Sequence, residues 1–310
     1  MSRSTKTIPI EDDNVRLDKY IRRIFPDLKQ SMIEKSLRRR LIKVDNYKAK
    51  SSDRVYSGQV ITIKYFNYIK RTNFNTKHNQ ELVNILKDNI LYEDEYILAI
   101  NKPVGVIIQG SVKTKISISD LLDQIREGET LKIVHRLDKD TSGVMIFARN
   151  TNVARFLMEE FKGRRIKKIY LALTSGMPSM DKGTIDLPLV KKYISGQEKM
   201  VVDKNSPQNA VTHFSIIARL GRNVAYVKLQ PITGRTHQLR AHLAHINCPI
   251  LGDGKYGGKR AFVDGAVNKI HLHSYSLSLK LPSNKKITIT ALCPEHFEKS
   301  IRALHHPFEG

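Results

Sequence analysis

His135-Arg136-Leu137-Asp138-Lys139-Asp140-Thr141-Ser142-Gly143 runs straight into the apolar stretch Val144–Ala148. A short apolar run preceded by turn residues reads as a buried strand. The segment therefore sets a charged loop at the end of a core strand, with Asp138 between the cations Arg136 and Lys139. Such a carboxylate is well placed to face a cleft. The residues alone leave two readings open: a functional carboxylate, or an aspartate that caps a turn or joins a surface ion pair.

On the N-terminal side of this loop, Ile90–Tyr92 and Tyr96–Ile100 read as strands flanking the acidic turn Glu93-Asp94-Glu95. Further strands are expected at 144–149, 168–174, 212–218, 224–230 and 285–291, with helices at 117–127, 152–163 and 235–246. Strands that adjoin one another, and do not alternate regularly with helices, indicate an α+β fold on a mixed, mostly antiparallel sheet. This domain is expected over 90–305. In front of it, Leu17, Tyr20, Ile21 and Ile24 recur at helical spacing up to Pro26. A second helix is read from Ser31, with Glu34 completing a capping box, through Ile33 and Leu37 to Arg38-Arg39-Arg40. Strands at 41–45 and 60–65 complete a small N-terminal α/β module over 14–75. The Asn-, Lys- and Thr-rich stretch 66–89 reads as a linker, taken as 76–89 between the two domains.

The chain has 310 residues with 53 Lys and Arg against 30 Asp and Glu, a net charge of +23. Residues 1–80 hold 19 Lys and Arg and 8 Asp and Glu, so they carry +11 of it. An excess of this size favours a polyanionic partner, nucleic acid before membrane. No run of 18 apolar residues is present, and Met1–Lys6 leads into polar residues without an apolar core, so neither a spanning helix nor a signal peptide is expected. Cys248 and Cys293, the two cysteines, lie 45 positions apart, which suits a reducing cytoplasm and builds no disulfide framework.

Several familiar signals fail on context. Gly252, Gly254 and Gly257 match a dinucleotide fingerprint, but they follow a helix and Pro249 in place of a strand. His237, His242 and His245 lack the i, i+4 spacing of a zinc-binding helix and any completing ligand. Gly-Lys at 254–255 and at 258–259 lacks the Ser or Thr of a phosphate loop. No metal or nucleotide cofactor is expected.

The loop motif resembles the central motif of the RluA family of pseudouridine synthases. Lys168-Ile169-Tyr170-Leu171-Ala172 is similar to the family's strand with its active-site tyrosine, and Thr233-Gly-Arg-Thr-His-Gln-Leu-Arg240 to its arginine segment. Asn101-Lys102-Pro103, with Gly105, matches the first motif, and Gly252-Asp253 with Lys255-Tyr256-Gly257 the turn after the arginine helix. In order, these matches cover 91–295. The resemblance implies that Asp138 is catalytic, that Tyr170 meets the base, and that Arg235 pairs with Asp138. It further implies RNA contacts from Arg136, His237 and Arg240, no cofactor, and a monomer acting on large-subunit ribosomal RNA (23S RNA or its precursor). The glycine–aspartate turn and Gln109 resemble the RluC branch more than RluD. The N-terminal module resembles the RNA-binding domain of ribosomal protein S-four through Arg16-Leu17-Asp18-Lys19-Tyr20, Ile33, Leu37, Arg40, Ile42 and Val44. On that resemblance Arg16, Lys19, Arg38, Arg39, Arg40 and Lys43 would contact RNA.

Overall fold

The computed structural model describes residues 5–25, 28, 30–64, 77–109, 116–126, 128–194, 196–221 and 223–305. The chain divides into two compact units, Met1–Thr76 and Lys77–Gly310. In the first, β1 (Thr5–Pro9), β2 (Val15–Arg16), α1 (Leu17–Ile24), α2 (Gln30–Arg38), β3 (Ile42–Val44), β4 (Tyr47–Lys48), β5 (Arg54–Val55) and β6 (Val60–Lys64) follow in order. An antiparallel sheet β1-β6-β3-β4 forms one layer. Alternation in β6 turns Ile61 and Ile63 inward, against Leu17 and Ile21 of α1 and Ile33 and Leu37 of α2. Helix α2 already includes Gln30, so Ser31 lies inside its first turn and is not the expected cap. Pro26, residue 65 of the expected strand and residues 66–76 of the expected linker lie outside the described residues.

The linker reading is corrected for the rest. Residues Lys77–Asp88 form α3, a helix of the second unit with Val83 and Leu86 fully buried. Leu82, Val83, Ile85 and Leu86 supply its apolar positions inside an otherwise polar sequence. Polar composition hid a helical period.

The second unit continues with β7 (Ile90–Glu93), β8 (Ile97–Lys102), α4 (Ile118–Ile125), β9 (Lys132–Ile133), β10 (Ser142–Ala148), α5 (Thr151–Lys162), β11 (Lys167–Ser175), β12 (Lys182–Asp186), β13 (Leu189–Ile194), β14 (Gln197–Val202), β15 (Val211–Leu220) and β16 (Val224–Pro231). After these come α6 (Gln238–His245), α7 (Gly254–Gly257), β17 (Leu272–Lys280), β18 (Lys286–Thr290) and α8 (Glu295–His305). Among the described residues, ten strands make one sheet in the order β12-β15-β16-β11-β17-β10-β8-β7, with β18 on β17 and β9 on β10. Every pairing is antiparallel except β10 with β17, so the fold is α+β on a mixed, mostly antiparallel sheet. All seven residues of β10 are buried, as the apolar run requires. Val153, Ala154 and Leu157 of α5 pack on Ile97, Val144 and Ile146, while Leu239 and Leu243 of α6 pack on Ala172, Val227 and Leu229. Among the described residues no helix is long and apolar enough to cross a membrane.

Candidate active site

Asp138 lies in the loop between β9 and β10. Three anchors hold that loop. Lys102, fully buried, donates its three ammonium hydrogens to the carbonyls of Pro103 at 2.9 Å, Val106 at 2.9 Å and Lys139 at 3.0 Å. Burial pushes its pKa down to about 7, against the pull of Asp140 and Asp138. His135 accepts the Ile146 N–H on Nε2 at 3.0 Å and stacks on Phe161 with ring centres 4.7 Å apart. Burial drives that ring down to about 3, so it stays a neutral acceptor. Ser142 Oγ meets His273 Nδ1 at 2.8 Å.

Gly143 is what lets β10 and β17 meet. Its φ is +108°, and a Cβ there would stand 2.2 Å from the Ser274 carbonyl oxygen. Ser274 in turn pairs with Tyr170 across β11, where the register shifts by one residue. Bulges of this kind re-aim side chains. Tyr170 and Asp138 line one cavity of about 800 Å³, with Arg136, Lys168, Arg235 and His237. Burial, with Asp138 adding to it, pushes the Tyr170 phenol up to about 12 against a hydrogen bond from Ser274. The ring therefore presents a neutral hydroxyl.

The expected helix over 235–246 starts later, at Gln238, and the difference decides the arginine. Residues Gly234, Arg235 and Thr236 form an exposed turn, which the buried Gln238 side chain ties down. Its Oε1 accepts from Thr233 Oγ1 at 2.7 Å and from the Arg235 N–H at 3.0 Å, and its Nε2 donates to Val211 O at 2.9 Å. Arg235 points its Nε at the Asn209 carbonyl, 3.1 Å away. It is not the partner of Asp138. Arg240 takes that place from the first turn of α6: its Nη1 is 3.8 Å from Asp138 Oδ2. The same guanidinium grips Asp253, which is fully buried, through Nε at 2.7 Å and Nη2 at 2.8 Å, and lies 5.1 Å over the Tyr256 ring. Arg240, expected as an RNA contact, is buried in the wall of the cleft and offers little open surface. His237 is likewise half-buried, with Nε2 3.7 Å from the same Asp138 Oδ2. Of the expected RNA contacts in this unit, Arg136 is exposed at the cleft.

The family model for RNA pseudouridylate synthase matches residues 96–245. A Rickettsia bellii protein described as ribosomal large subunit pseudouridine synthase C is 36% identical over 290 residues, spanning 92% of this chain and 96% of its own. A Haemophilus influenzae protein of the same description is 30% identical over 282 residues, 90% of this chain and 87% of its own. Among solved structures, human RNA pseudouridylate synthase domain containing 4 is 30% identical with a TM-score of 0.60, covering 72% of this chain and 95% of that one. The chain belongs to the RNA pseudouridylate synthase family.

An RNA pseudouridylate synthase needs a cleft that admits a polyanion, and the mouth here carries Lys162, Arg164 and Lys168 beside Arg136 and Arg235. Lys168 is pushed down by burial and by Arg164. Of these, Lys162 and Arg164 were not singled out in the sequence, and Lys168 only as the first residue of the tyrosine motif; the signal available was their spacing around the tyrosine strand. Asp253 and Tyr256 were legible only as part of a turn, yet they fix Arg240 and His237 of the synthase. His242, one of the three histidines set aside as metal ligands, is buried against Thr212 Oγ1 at 2.9 Å and Leu187 O at 3.0 Å. No group of three or more His, Cys, Asp or Glu that could hold a metal occurs among the described residues.

In the first unit, Arg38, Arg39 and Arg40 are exposed where α2 ends, Lys19 is exposed on α1, and Lys43 is half-buried on β3. Arg16 is taken up in part by Asp18, at 3.1 Å through Nε and 2.8 Å through Nη2, which holds that carboxyl below its usual range.

Proposed function

We propose that this synthase converts specific uridines of large-subunit ribosomal RNA to pseudouridine, with Asp138 as the catalytic carboxylate. The observation that carries this reading is the asymmetry of Asp138. Its two basic neighbours, Arg240 at 3.8 Å and the neutral His237 at 3.7 Å, both approach Oδ2, and the carboxyl lines the cleft shared with Tyr170. Isomerisation breaks C1′–N1, forms C1′–C5, removes the C5 proton and returns a proton to N1. Atoms and electrons balance within the nucleoside, so the reading invokes no cofactor. Asp138 either adds covalently or stabilises the cationic sugar, and both routes need one oxygen free and the other held. Tyr170 offers a ring to stack on the displaced base and a hydroxyl beside it.

A uridine must leave its stack to enter the cleft, which costs a few kcal/mol. Arg136, Lys162, Arg164 and Arg235 would hold the flanking phosphates, and the first unit would add Arg38, Arg39, Arg40, Lys43, Lys19 and Arg16 as a separate RNA-binding module. Activity as a monomer in the cytoplasm belongs to the same proposal. The relatives' description as large-subunit synthases supports the choice of RNA. The test is incubation of the purified chain with unmodified large-subunit and small-subunit ribosomal RNA, followed by pseudouridine mapping. Discrete sites in the large-subunit RNA alone are expected. Equal modification of both RNAs, or release of free uracil, would overturn the assignment.

A further inference from the structure

His237 is built into the site in a way that an RNA contact would not require. It sits between the exposed turn and α6 with φ +50°, left-handed backbone that is uncommon outside glycine, although histidine enters it more readily than most residues. Strain of this kind persists where the surroundings over-determine it, and it gathers at functional sites. The strained backbone turns the imidazole edge inward, between Asp138 and Tyr256. Nδ1 lies 2.8 Å from Tyr256 Oη, with the two rings 5.6 Å apart and nearly perpendicular at 88°. Nε2 faces Asp138 Oδ2 at 3.7 Å.

The hydrogens of this chain of contacts can be assigned. The Met200 N–H, from β14, donates to Tyr256 Oη at 3.1 Å, so that oxygen already accepts one bond. Its own hydrogen has His237 Nδ1 as its near acceptor. Burial pushes the Tyr256 phenol up, so it keeps its hydrogen. Burial also pushes His237 down, against Asp138 and Asp253 and with Arg240 and Lys255, so the ring is neutral. A neutral imidazole that accepts on Nδ1 carries its hydrogen on Nε2.

Resting on the assignment of Asp138 as the catalytic carboxylate, we infer that His237 is a positioning residue for it: Tyr256 fixes the imidazole as the Nε2–H tautomer, and this hydrogen is donated to Asp138 Oδ2 when substrate closes the site. The donor is needed because most of Arg240 is committed elsewhere. Two of its nitrogens hold Asp253 at 2.7 and 2.8 Å, and its remaining contact with Asp138 is 3.8 Å long. Catalytic hydrogen bonds that are long in a free enzyme shorten in the substrate complex. With Arg240 and His237 both on Oδ2, Oδ1 keeps one direction relative to the sugar.

The test uses the crossed demands of backbone and side chain at this position. Asparagine tolerates left-handed backbone best but reaches only to the place of Nδ1; glutamine strains the turn yet can place an amide N–H near Nε2. His237→Asn should therefore melt no lower than the wild type and lose kcat by on the order of 10- to 100-fold, with KM for RNA within a few-fold. His237→Gln should melt lower but recover part of that loss. A role in RNA contact or in folding alone predicts the reverse: a KM effect, or activity that follows stability. Independently of turnover, the imidazole nitrogen spectrum of ¹⁵N-histidine-labelled protein should show His237 protonated on Nε2 at neutral pH, with His237→Asn identifying the signal. A hydrogen on Nδ1, or a normal kcat in His237→Asn, overturns the proposal. If Asp138→Asn itself remains active, it is the reading of the site that fails and not this inference alone.

Discussion

Replacing Arg240 by lysine keeps a positive charge but removes the planar fork, and the structure gives the size of the effect. The guanidinium makes two charge-assisted hydrogen bonds to Asp253, which is fully buried, and directs its third nitrogen toward Asp138 at 3.8 Å. An ammonium on the shorter stem can serve one carboxylate, not both. One bond to Asp253 is then lost, worth about 1.5–3 kcal/mol, and Asp253 has no water to replace it. Asp138 loses a fixed reference on Oδ2. Misplacing a reacting group by about 1 Å costs on the order of 100-fold, so kcat should fall at least that far, with affinity for RNA nearly unchanged. Arg235→Lys is the matched control. That side chain is exposed and donates to one carbonyl, Asn209 O at 3.1 Å, which lysine can replace. Its kcat should stay within a few-fold. Single-turnover tritium release from RNA carrying 5-³H-uridine measures both. A larger loss in Arg235→Lys than in Arg240→Lys would refute the placement of Arg240 as the partner of Asp138.

Gly143→Ala would bring a Cβ to 2.2 Å from the Ser274 carbonyl oxygen at a φ of +108°; strain and overpacking together should cost roughly 3–5 kcal/mol, seen as a melting temperature lower by about 10 °C. Stability should also fall with acid through buried histidines. His271 and His273 are fully buried, and burial lowers each to about 4. The unfolded chain binds their protons first, so stabilisation present above pH ~6.5 is lost as pH drops toward 4, by roughly 3 kcal/mol per histidine at most. Urea titrations between pH 7 and 4 check this, and His273→Gln should flatten the slope. Deleting residues 1–76 should leave turnover measurable at high RNA concentration while raising KM and flattening its salt dependence; unchanged KM and salt slope would exclude an RNA-binding role for the first unit.

Much of this arrangement was legible in the sequence. The apolar run 144–148 is a buried strand, and the residues just before it form the loop that carries Asp138. What escaped did so for physical reasons. Strand β17 joins the two halves of the sheet, yet Leu272-His-Ser-Tyr-Ser-Leu-Ser-Leu-Lys280 gives a weak apolar signal. His273 and Ser274 are fully buried there, and hydrogen bonds to Ser142, Ala291 and Val144 satisfy them in the core. Hydropathy cannot see a buried polar group that has its partner. Arg235 and Arg240 lie five positions apart in one segment, and composition treats them alike. Only the start of α6 at Gln238 separates them, putting one in a turn and the other inside the helix. Boundaries are the part of a helix that sequence reads least well.

Asp138→Asn addresses the central claim most directly. The amide keeps the size of the side chain and removes its charge, and Arg240, Asp253, His237 and Tyr256 hold one another without it. The variant should fold and bind large-subunit ribosomal RNA within several-fold of the wild type. Tritium release from 5-³H-uridine in that RNA should fall to background. Substantial turnover by Asp138→Asn, with the same uridines modified, would contradict the account.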